Sequence, residues 1–380
     1  MPPDHSAQQG GPTWSRRLTA SERTRLLLVG AGHAHLHLID RAETLRRARL
    51  DVTLVAPREF HYSGLATAVA TGAMPADAAT IDVASLAARR GVHHVQGRAA
   101  GCDPVRRAVT LEGGGSVDYD VASFNVGSVA ATGTLEIAPG VSAVKPFDRL
   151  FALSTWLART RADHRYHLSI VGGGPTGLEL AGQIAARFPD RASVTIFERE
   201  RQLGIGLPEG ARRRVLGVLD RRGVQVRPGA LVRSIQPDHL LVDGERHEHD
   251  TVVVAMGLTP ATFASDSGLG DRRGIPVRAT LQHVDHDDVY AAGDVARFTP
   301  QPLPKLGVHG VRQGPVLEQS LLARQAGHPL PGYQPRRHAL QILDLGGGTA
   351  LATRGRWWAE GPLMRRLKLA IDARWLARYR

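Results

Sequence analysis

The stretch HLSIVGGGPTGLELAG, residues 167–182, indicates the fold of this chain. Residues 168–171 are mostly apolar, as in a buried strand, and Pro175 is typical of a residue that begins a helix. Three glycines follow the strand at the spacing GxGxxG: Gly172, Gly174 and Gly177. In such a turn the first glycine permits the bend, the second lets a pyrophosphate reach the backbone, and the third lets the helix pack against the strand. Residues 167–182 therefore predict a dinucleotide site at the start of a helix.

The next predicted strand supports this interpretation. Its sequence is SVTIFE, residues 193–198, and it ends in Glu198, 24 residues after Gly174. A carboxylate at this place typically binds the ribose of a dinucleotide. The motif and its context together predict a complete nucleotide-binding unit.

An altered copy of the same pattern occurs 142 residues earlier, in RLLLVGAGHAHLHLI, residues 25–39. Gly30 and Gly32 fill the first two glycine positions, but His35 stands at the third, where a bulky side chain should push the helix away from the strand. The following strand ends in Ala56 and Pro57 instead of an acid. The two units together predict an α/β fold with two Rossmann-like dinucleotide-binding domains.

The histidines at positions 33, 35 and 37 allow a second interpretation. Residues at i and i+4 share a helix face, so these side chains could bind a metal ion. No carboxylate follows nearby to complete a ligand set. We favour packing or cofactor contact for these histidines and expect no metal site.

Composition limits the remaining possibilities. The 380 residues are enough for two to three domains, and the net charge of +12 favours an anionic partner. No nucleic-acid motif accompanies that charge, so we expect no nucleic acid partner. The one cysteine, Cys102, cannot form an intramolecular disulfide or a CxxC pair, so redox chemistry requires a bound cofactor. No run of 18 apolar residues could cross a membrane, and no leader is recognised, so we expect a cytoplasmic protein.

The C-terminal residues 353–380 differ from the rest of the chain. Eight Arg and Lys residues stand against two acids, which gives 8 − 2 = +6. Leu363, Leu367, Ile371 and Trp375 recur every four residues and predict a basic amphipathic helix. Such a helix can lie on an anionic membrane surface, which would make the protein peripheral on the cytoplasmic face of the membrane. It can equally dock on the protein's own core or form the contact of a homodimer, and the pattern does not distinguish these surfaces.

The motifs in order resemble FAD-dependent pyridine nucleotide oxidoreductases, which include type II NADH dehydrogenases and sulfide:quinone reductases. The resemblance rests on the paired glycine turns, YDVASFNVG, TVVVAMGLTP and VYAAGD. VGAGHAHLHLI, HYSGL, AVKPFDR, PKLGVHGVRQGP and TRGRWWAEGPLMRRLKLAIDARW are more closely similar to type II NADH dehydrogenase-like proteins. Some members of that branch are fused to selenophosphate synthetase, and a histidine at the third glycine position is usual in it. The resemblance runs from about Arg25 to the C-terminus.

This resemblance implies a discontinuous FAD-binding domain interrupted by the NAD(P)H-binding domain. The implied divisions are an N-terminal tail that we expect to be disordered (1–24), the FAD-binding domain (25–145 and 269–330), the NAD(P)H-binding domain (146–268) and a small C-terminal α/β segment with the basic helix (331–380).

The resemblance also implies the site residues. Those expected at FAD are Gly30, Gly32, His33, Ala34, His35, Pro57, Arg58, Tyr62, Ser63, Ala99, Gly127, Asp294, Gly307, Val308 and His309, the last three in a loop before a helix predicted from Gly314. Those expected at NAD(P)H are Gly172, Gly174, Pro175, Thr176, Gly177, Glu198 and Gly257. Glu198 favours NADH because it would repel a 2′-phosphate, although Arg199 and Arg201 leave NADPH open.

Two residues are candidates for the chemistry itself, Glu179 and Lys305. Glu179 matches a glutamate that points toward the nicotinamide and flavin in type II dehydrogenases, and its alternative is an acid on the helix surface. Lys305 begins the segment that matches the family's loop before the last helix of the FAD-binding domain, whose backbone approaches the pyrimidine edge of the flavin.

The function that follows is hydride transfer from NAD(P)H to FAD, with electrons passing to an acceptor that we expect to be a quinone. The single cysteine argues against the cysteine mechanism of sulfide oxidation. The segment RQGPVL keeps Gln313 but has Leu317 where type II dehydrogenases have a second glutamine, which weakens the case for quinone. There are two alternatives. The acceptor could be a soluble selenium, sulfur or other small compound, or the chain could be a weakly catalytic flavin-binding module that responds to redox state.

Overall fold

The computed structural model describes residues 23–133, 135–139, 141–159 and 164–380. The expected disordered tail falls outside the described residues except for its end, where Thr24 already begins the first strand.

The helices within the described residues are α1 (His33–Asp40), α2 (Ala42–Arg47), α3 (Ala66–Ala70), α4 (Val83–Arg89), α5 (Phe147–Arg159), α6 (Pro175–Arg187), α7 (Glu209–Arg221), α8 (Phe263–Asp266), α9 (Gly307–Ala326) and α10 (Pro362–Ala377). Short 3₁₀ turns occupy Ser63–Leu65, Ala76–Ala79 and Gly293–Val295. None of these helices is long and apolar enough to cross a membrane.

The strands of the same residues are β1 (Thr24–Val29), β2 (Leu50–Ala56), β3 (Glu59–His61), β4 (Thr80–Asp82), β5 (His93–Gln96), β6 (Ala99–Asp103), β7 (Ala108–Leu111), β8 (Ser116–Asp118), β9 (Val121–Phe124), β10 (Ser128–Ala130), β11 (Glu136–Ile137), β12 (Ser142–Ala143), β13 (Tyr166–Val171), β14 (Ala192–Glu198), β15 (Gln225–Pro228), β16 (Val232–Ile235), β17 (His239–Val242), β18 (Glu245–Glu248), β19 (Thr251–Val254), β20 (Leu258–Pro260), β21 (Ile275–Val277), β22 (Val289–Ala291), β23 (Ala296–Phe298), β24 (Gln341–Gly346), β25 (Thr349–Arg354) and β26 (Trp357–Gly361).

Two five-stranded parallel sheets form the centre of the molecule. The first has the order β5–β2–β1–β9–β22, and the second has the order β15–β14–β13–β19–β12. In each sheet the central strand leads through a glycine turn into a helix, α1 or α6, at the point where the strand order reverses. Ligands of such sheets bind at this reversal, beside the carboxyl ends of the strands. The predicted α/β fold with two Rossmann-like units is therefore confirmed.

The chain leaves the first sheet after β9 and returns to it with β22, so the second sheet is inserted into the first. Burial of apolar side chains stabilises both sheets. The central strands β1 and β13 are buried on both faces and are nearly continuous hydrophobic runs.

The C-terminal unit is an antiparallel three-stranded sheet, β24–β25–β26, followed by α10. Its buried Leu343, Leu345 and Leu351 belong to the same apolar cluster as residues of β13 and α6. A Cβ on Gly182 of α6 would lie 2.8 Å from the carbonyl oxygen of Leu345, so this glycine lets β24 approach the helix closely. The unit is thereby fixed onto the second nucleotide unit.

One local prediction was wrong. Helix α9 begins at Gly307 instead of Gly314, so Gly307, Val308 and His309 form its first turn and are not a loop. The reason is Pro315, which normally marks the first turn of a helix but lies here in the interior of α9.

Candidate active site

The second glycine turn is shaped by one close contact. A Cβ on Gly177 would lie 2.0 Å from the carbonyl oxygen of Gly172, so α6 can pack at this distance only with glycine at position 177. Gly172 itself has φ +117°, a conformation that favours glycine. Gly174 precedes α6, receives no side-chain cap, and has no heavy atom within 4 Å of the position of a Cβ. The open side of this turn is thus free for a phosphate.

A cavity of about 640 Å³ opens in front of this turn. Its walls include Gly172, Gly174 and Glu198, together with Met256 and Gly257 from the end of β19. The Glu198 carboxylate accepts hydrogen bonds from the amides of Gly173 (2.6 Å) and Glu200 (3.0 Å). These two bonds orient the carboxylate and leave it further lone pairs for ribose hydroxyls. The geometry and the donor set fit a dinucleotide, with the exposed Pro175 and Thr176 at the helix start.

The first glycine turn is built differently, and the difference comes from Asn125. Its Oδ1 accepts hydrogen bonds from the amides of Ala34 (3.1 Å) and His35 (3.3 Å), and its Nδ2 donates to the carbonyl of Ala292 (2.6 Å). A Cβ on Gly32 would lie 2.4 Å from Asn125 Oδ1. Asn125 was not predicted from the sequence. The available signal was the comparison of FNVG after β9 with VAMG after β19, where alanine stands at the equivalent position.

His35 replaces the third glycine by bonding to the turn. Its Nδ1 lies 2.6 Å from the carbonyl oxygen of Gly30, and its Nε2 lies 2.8 Å from Ser123 Oγ. The ring is fully buried, and this burial lowers the pKa of His35 to about 4. A neutral imidazole therefore ties α1 to the end of β1 and to β9 by polar contacts at the position where the second unit has glycine.

The other two histidines of this helix have separate surroundings. His37 Nε2 lies 2.7 Å from Glu318 Oε2, whereas His33 packs against the rings of Phe60 and Trp375, with centroids 5.2 and 5.1 Å away. Burial lowers the pKa of His33 to about 4. Among the described residues, no group of three or more His, Cys, Asp or Glu side chains is placed to hold a metal ion.

Asp294 is a charged residue beside the first turn, and neighbouring side chains hold its Oδ2. Its Oδ2 forms an ion pair with Lys145 Nζ (3.1 Å) and accepts a hydrogen bond from Ser128 Oγ (2.6 Å). Burial alone would raise the pKa of Asp294, but Lys145 and Ser128 outweigh it and hold the pKa below its usual value. Lys305 Nζ donates to the carbonyls of Asp294 (2.6 Å) and Ala296 (3.1 Å), so this lysine fixes the same segment.

The remaining residues expected at FAD fall into two groups. Ser63, His33 and Gly307 come together, because a Cβ on Gly307 would lie 3.3 Å from Ser63 Oγ and 3.4 Å from His33 Cε1. His309 lies two residues further along α9, and its Nδ1 is 2.9 Å from Tyr333 Oη. The second group is more peripheral: Arg58 is exposed and paired with Asp82, Pro57 follows β2, and Ala99 begins β6.

Gly127 and Gly257 show how the two units correspond. Each follows the fourth strand of its sheet with positive φ (+81° and +94°), and neither has a heavy atom within 4 Å of the position of a Cβ. An open backbone of this kind is what an approaching cofactor needs. The open Gly127, the Gly30–Gly32 turn and the convergence at Ser63 fit an FAD molecule, whose pyrophosphate would meet a turn already braced by Asn125.

Glu179 lies on α6 at the wall of a second cavity, of about 220 Å³. Its Oε1 accepts a hydrogen bond from the amide of Asp344 (2.9 Å), which belongs to the C-terminal sheet. Burial raises the pKa of Glu179 to about 7, although Lys368 and the bond from Asp344 act in the opposite direction. Glu179 is therefore not an acid on an open helix surface, because the C-terminal unit covers it.

The C-terminal helix contributes residues that sequence reasoning did not single out. Lys368 lines the same cavity as Glu179 and forms an ion pair with Asp372 (2.8 Å), which in turn accepts a hydrogen bond from the Tyr62 hydroxyl (2.9 Å). Trp375 stacks on the Tyr62 ring, with centroids 4.4 Å apart. Buried lysine and aspartate are rare, so no pattern in the sequence would have placed them inside.

Comparison with known proteins agrees with this geometry. Residues 24–314 match the pyridine nucleotide-disulphide oxidoreductase family. The ferroptosis suppressor protein 1 of Taeniopygia guttata is 24% identical over 335 residues, with 84% of this chain and 86% of the relative covered. The type II NADH:quinone oxidoreductase of Staphylococcus aureus (strain bovine RF122) is 22% identical over 340 residues, covering 80% and 83%.

Among solved structures, the sulfide:quinone oxidoreductase from Aquifex aeolicus superposes with a TM-score of 0.80 at 17% identity and covers 94% of this chain and 91% of its own. This likeness shows the shared fold. None of the three proteins is described as a fusion to selenophosphate synthetase, so the finer assignment to that branch gains no support from them.

The two glycines of the second turn provide a matched pair of substitutions. Gly177→Ala should lower the free energy of unfolding by about 1–3 kcal/mol because its Cβ overlaps the Gly172 carbonyl. Gly174→Ala should leave stability unchanged, since φ is −74° and the space is open, yet weaken nucleotide binding about tenfold or more because the Cβ occupies the phosphate's place. Urea unfolding and fluorescence titration with NADH measure the two effects. Unchanged NADH affinity in Gly174→Ala would show that the nucleotide binds elsewhere.

Proposed function

The chain belongs to the pyridine nucleotide-disulphide oxidoreductase family, whose members bind FAD and NAD(P)H, and we propose that it oxidises NADH and reduces a quinone. The observation that carries the proposal is the open glycine turn, which faces the cavity lined by Glu198 and leads into α6, the helix that carries the half-buried Glu179. Bound NADH supplies a hydride, and bound FAD supplies the two-electron carrier between nucleotide and acceptor.

The protein's own residues would bind and orient these groups. The NADH pyrophosphate would bind at the turn formed by Gly172, Gly174 and Gly177 and at the first backbone amides of α6. Glu198 would accept hydrogen bonds from the NADH ribose and disfavour a 2′-phosphate. For FAD we propose the Gly30–Gly32 turn, Tyr62, Ser63, Gly127, Asp294 and the start of α9. Each of these residues lies at or beside the strand ends that face the reversal of the first sheet.

Glu179 would manage the proton that the reaction requires. Reduction of a quinone by NADH consumes one proton from the medium, because NADH delivers a hydride and the quinol carries two hydrogens. A carboxyl with a pKa of about 7 is partly protonated near neutrality, so it can release a proton and take another. Its cavity reaches Arg365, which is partly exposed and could connect Glu179 to solvent.

Two observations support a quinone as the acceptor. The relatives include a type II NADH:quinone oxidoreductase and a sulfide:quinone oxidoreductase. In addition, the outer face of α10 exposes the apolar Leu363, Leu367 and Ile371, while Arg366 and Arg374 are exposed on the same helix. An apolar stripe edged by cations is the pattern by which a helix lies on an anionic membrane, where quinones dissolve.

Anaerobic mixing tests the proposal. The purified protein, loaded with FAD, should lose its visible flavin absorbance rapidly with NADH and regain it when a short-chain quinone is added. Flavin that is bleached but not reoxidised by quinone would point to a soluble acceptor. Flavin that neither NADH nor NADPH bleaches would contradict an NAD(P)H oxidoreductase and leave a flavin-binding module.

Glu198→Ala tests the nucleotide preference. Loss of a charged hydrogen-bond acceptor should raise the KM for NADH roughly tenfold or more and change the KM for NADPH far less. Glu200→Ala is the matched control, since Glu200 lines the same cavity but is paired with Arg199. Equal effects of Glu198→Ala on the two nucleotides would rule out its ribose role.

Membrane docking is tested on the outer face of α10 without deleting the helix, whose Leu376 and Tyr379 are core residues. A variant with Leu363→Gln, Leu367→Gln and Ile371→Gln should bind anionic liposomes roughly tenfold or more weakly, because the apolar contact is lost. Val105→Gln, on another exposed apolar residue, serves as control. Unchanged sedimentation of the triple variant with liposomes would contradict the docking face.

A further inference from the structure

Helix α10 turns an ion pair toward the interior of the protein. Lys368 and Asp372, one helical turn apart, are buried to 8% and 5% exposure, while the apolar Leu363, Leu367 and Ile371 of the same helix lie outside. Taking two charges out of water is costly, and a well-packed apolar pair at the same place is often equally stabilising. Packing alone therefore does not explain why these two residues face inward. The polar contacts that Lys368 and Asp372 make with neighbouring groups do explain it.

The pair holds the segment that carries Tyr62. Asp372 Oδ1 accepts a hydrogen bond from the Tyr62 hydroxyl (2.9 Å), and Lys368 Nζ donates to the carbonyl of Gly64. Gly64 makes this approach possible, since a Cβ there would lie 2.4 Å from the Tyr62 ring and 2.8 Å from Asp372 Oδ1. Trp375, one turn further along α10, stacks on the same Tyr62 ring. One ion pair thus fixes two positions of this segment, Tyr62 and Gly64.

The same pair also acts on Glu179. Lys368 lines the 220 Å³ cavity with Glu179, and the charges of Lys368 and Asp372 act on the Glu179 carboxyl with opposite signs. The other charged groups around this cavity are Asp344 of β24, which is 3.4 Å from Arg365 of α10, and Arg187 at the end of α6. Lys368 and Asp372 therefore stand between the Tyr62 segment of the first unit and Glu179 of the second.

We propose that Lys368 and Asp372 are positioning residues of the reaction centre, which fix the Tyr62–Gly64 segment and set the charge that Glu179 faces. The C-terminal helix would then be part of the redox site as well as a surface element. The relevance to turnover rests on the proposed function, whereas the electrostatic coupling to Glu179 does not.

Two substitutions on opposite sides of the ion pair test the proposal. Lys368→Met removes the cation, so the pKa of Glu179 should rise, by the order of one pH unit. Asp372→Asn keeps an acceptor for the Tyr62 hydroxyl but removes the anion, so the pKa of Glu179 should fall by a similar amount. The titration is followed by ¹³C NMR of protein labelled at the glutamate carboxyl carbon, with Glu179→Gln to assign the signal.

Controls make every outcome decisive. Arg366→Met removes a cation from the exposed face of the same helix and should leave the Glu179 titration unchanged. If Lys368→Met fails to fold, the double variant Lys368→Met, Asp372→Leu replaces the ion pair by apolar residues. Asp372→Asn alone still tests the expected fall in the pKa of Glu179. Shifts in the same direction in both single variants, or no shift in either, would overturn the proposal.

The pH profile of flavin reoxidation by a short-chain quinone, the step that consumes the proton, gives a second readout. Its midpoint should move with the Glu179 titration, up in Lys368→Met and down in Asp372→Asn, whereas a merely structural role would lower the rate at every pH alike. If wild-type protein is not reduced by NADH, the proposed function fails, but the NMR titration still decides whether the ion pair controls Glu179.

Discussion

The molecule depends on how closely a helix can approach the strand that precedes it. A nucleotide phosphate can use the start of a helix only if the helix begins immediately beyond the carboxyl end of the strand, with its amides facing outward. In the second unit this approach is set by the contact between position 177 and the Gly172 carbonyl, where even a methyl group would overlap at 2.0 Å. The open turn, its cavity and the placement of Glu179 on α6 all follow from that contact.

The first unit meets the same constraint with different chemistry. His35 cannot pack as glycine does, so its ring bonds to the Gly30 carbonyl and to Ser123, and Asn125 bonds to the first amides of α1. The resulting turn is braced by side chains from a neighbouring strand. Two units of equal topology can therefore differ in how much of their helix start remains open, and here the unit with the intact glycine motif is the open one.

These differences explain what the sequence could and could not predict. The two units, their strands and the place of Glu198 follow from local patterns of glycines, apolar runs and a terminal acid. Asn125 was not predicted because its role depends on which strand lies beside β1. The residue that it contacts, His35, is 90 residues away in the chain. The early start of α9 was not predicted because proline normally occurs in the first turn of a helix, whereas Pro315 lies in the interior of α9.

The C-terminal helix shows the same limit more clearly. Its apolar repeat predicts an amphipathic helix, and α10 forms where expected, but Leu363, Leu367 and Ile371 face outward while Lys368 and Asp372 face inward. The pattern alone did not determine whether the apolar residues face the protein or an outer surface. Here the buried side meets Tyr62 and the cavity of Glu179, and charged partners are what those groups require.

A crystal structure of the protein with FAD and a non-reactive NADH analogue would show whether the two turns serve one reaction centre enclosed by the C-terminal helix. We expect FAD along the Gly30–Gly32 turn, the analogue in the cavity with Glu198, and the nicotinamide meeting the flavin between Tyr62 and Glu179. An analogue whose nicotinamide lies away from Glu179, or a first turn that binds no flavin at saturating FAD, would contradict this expectation.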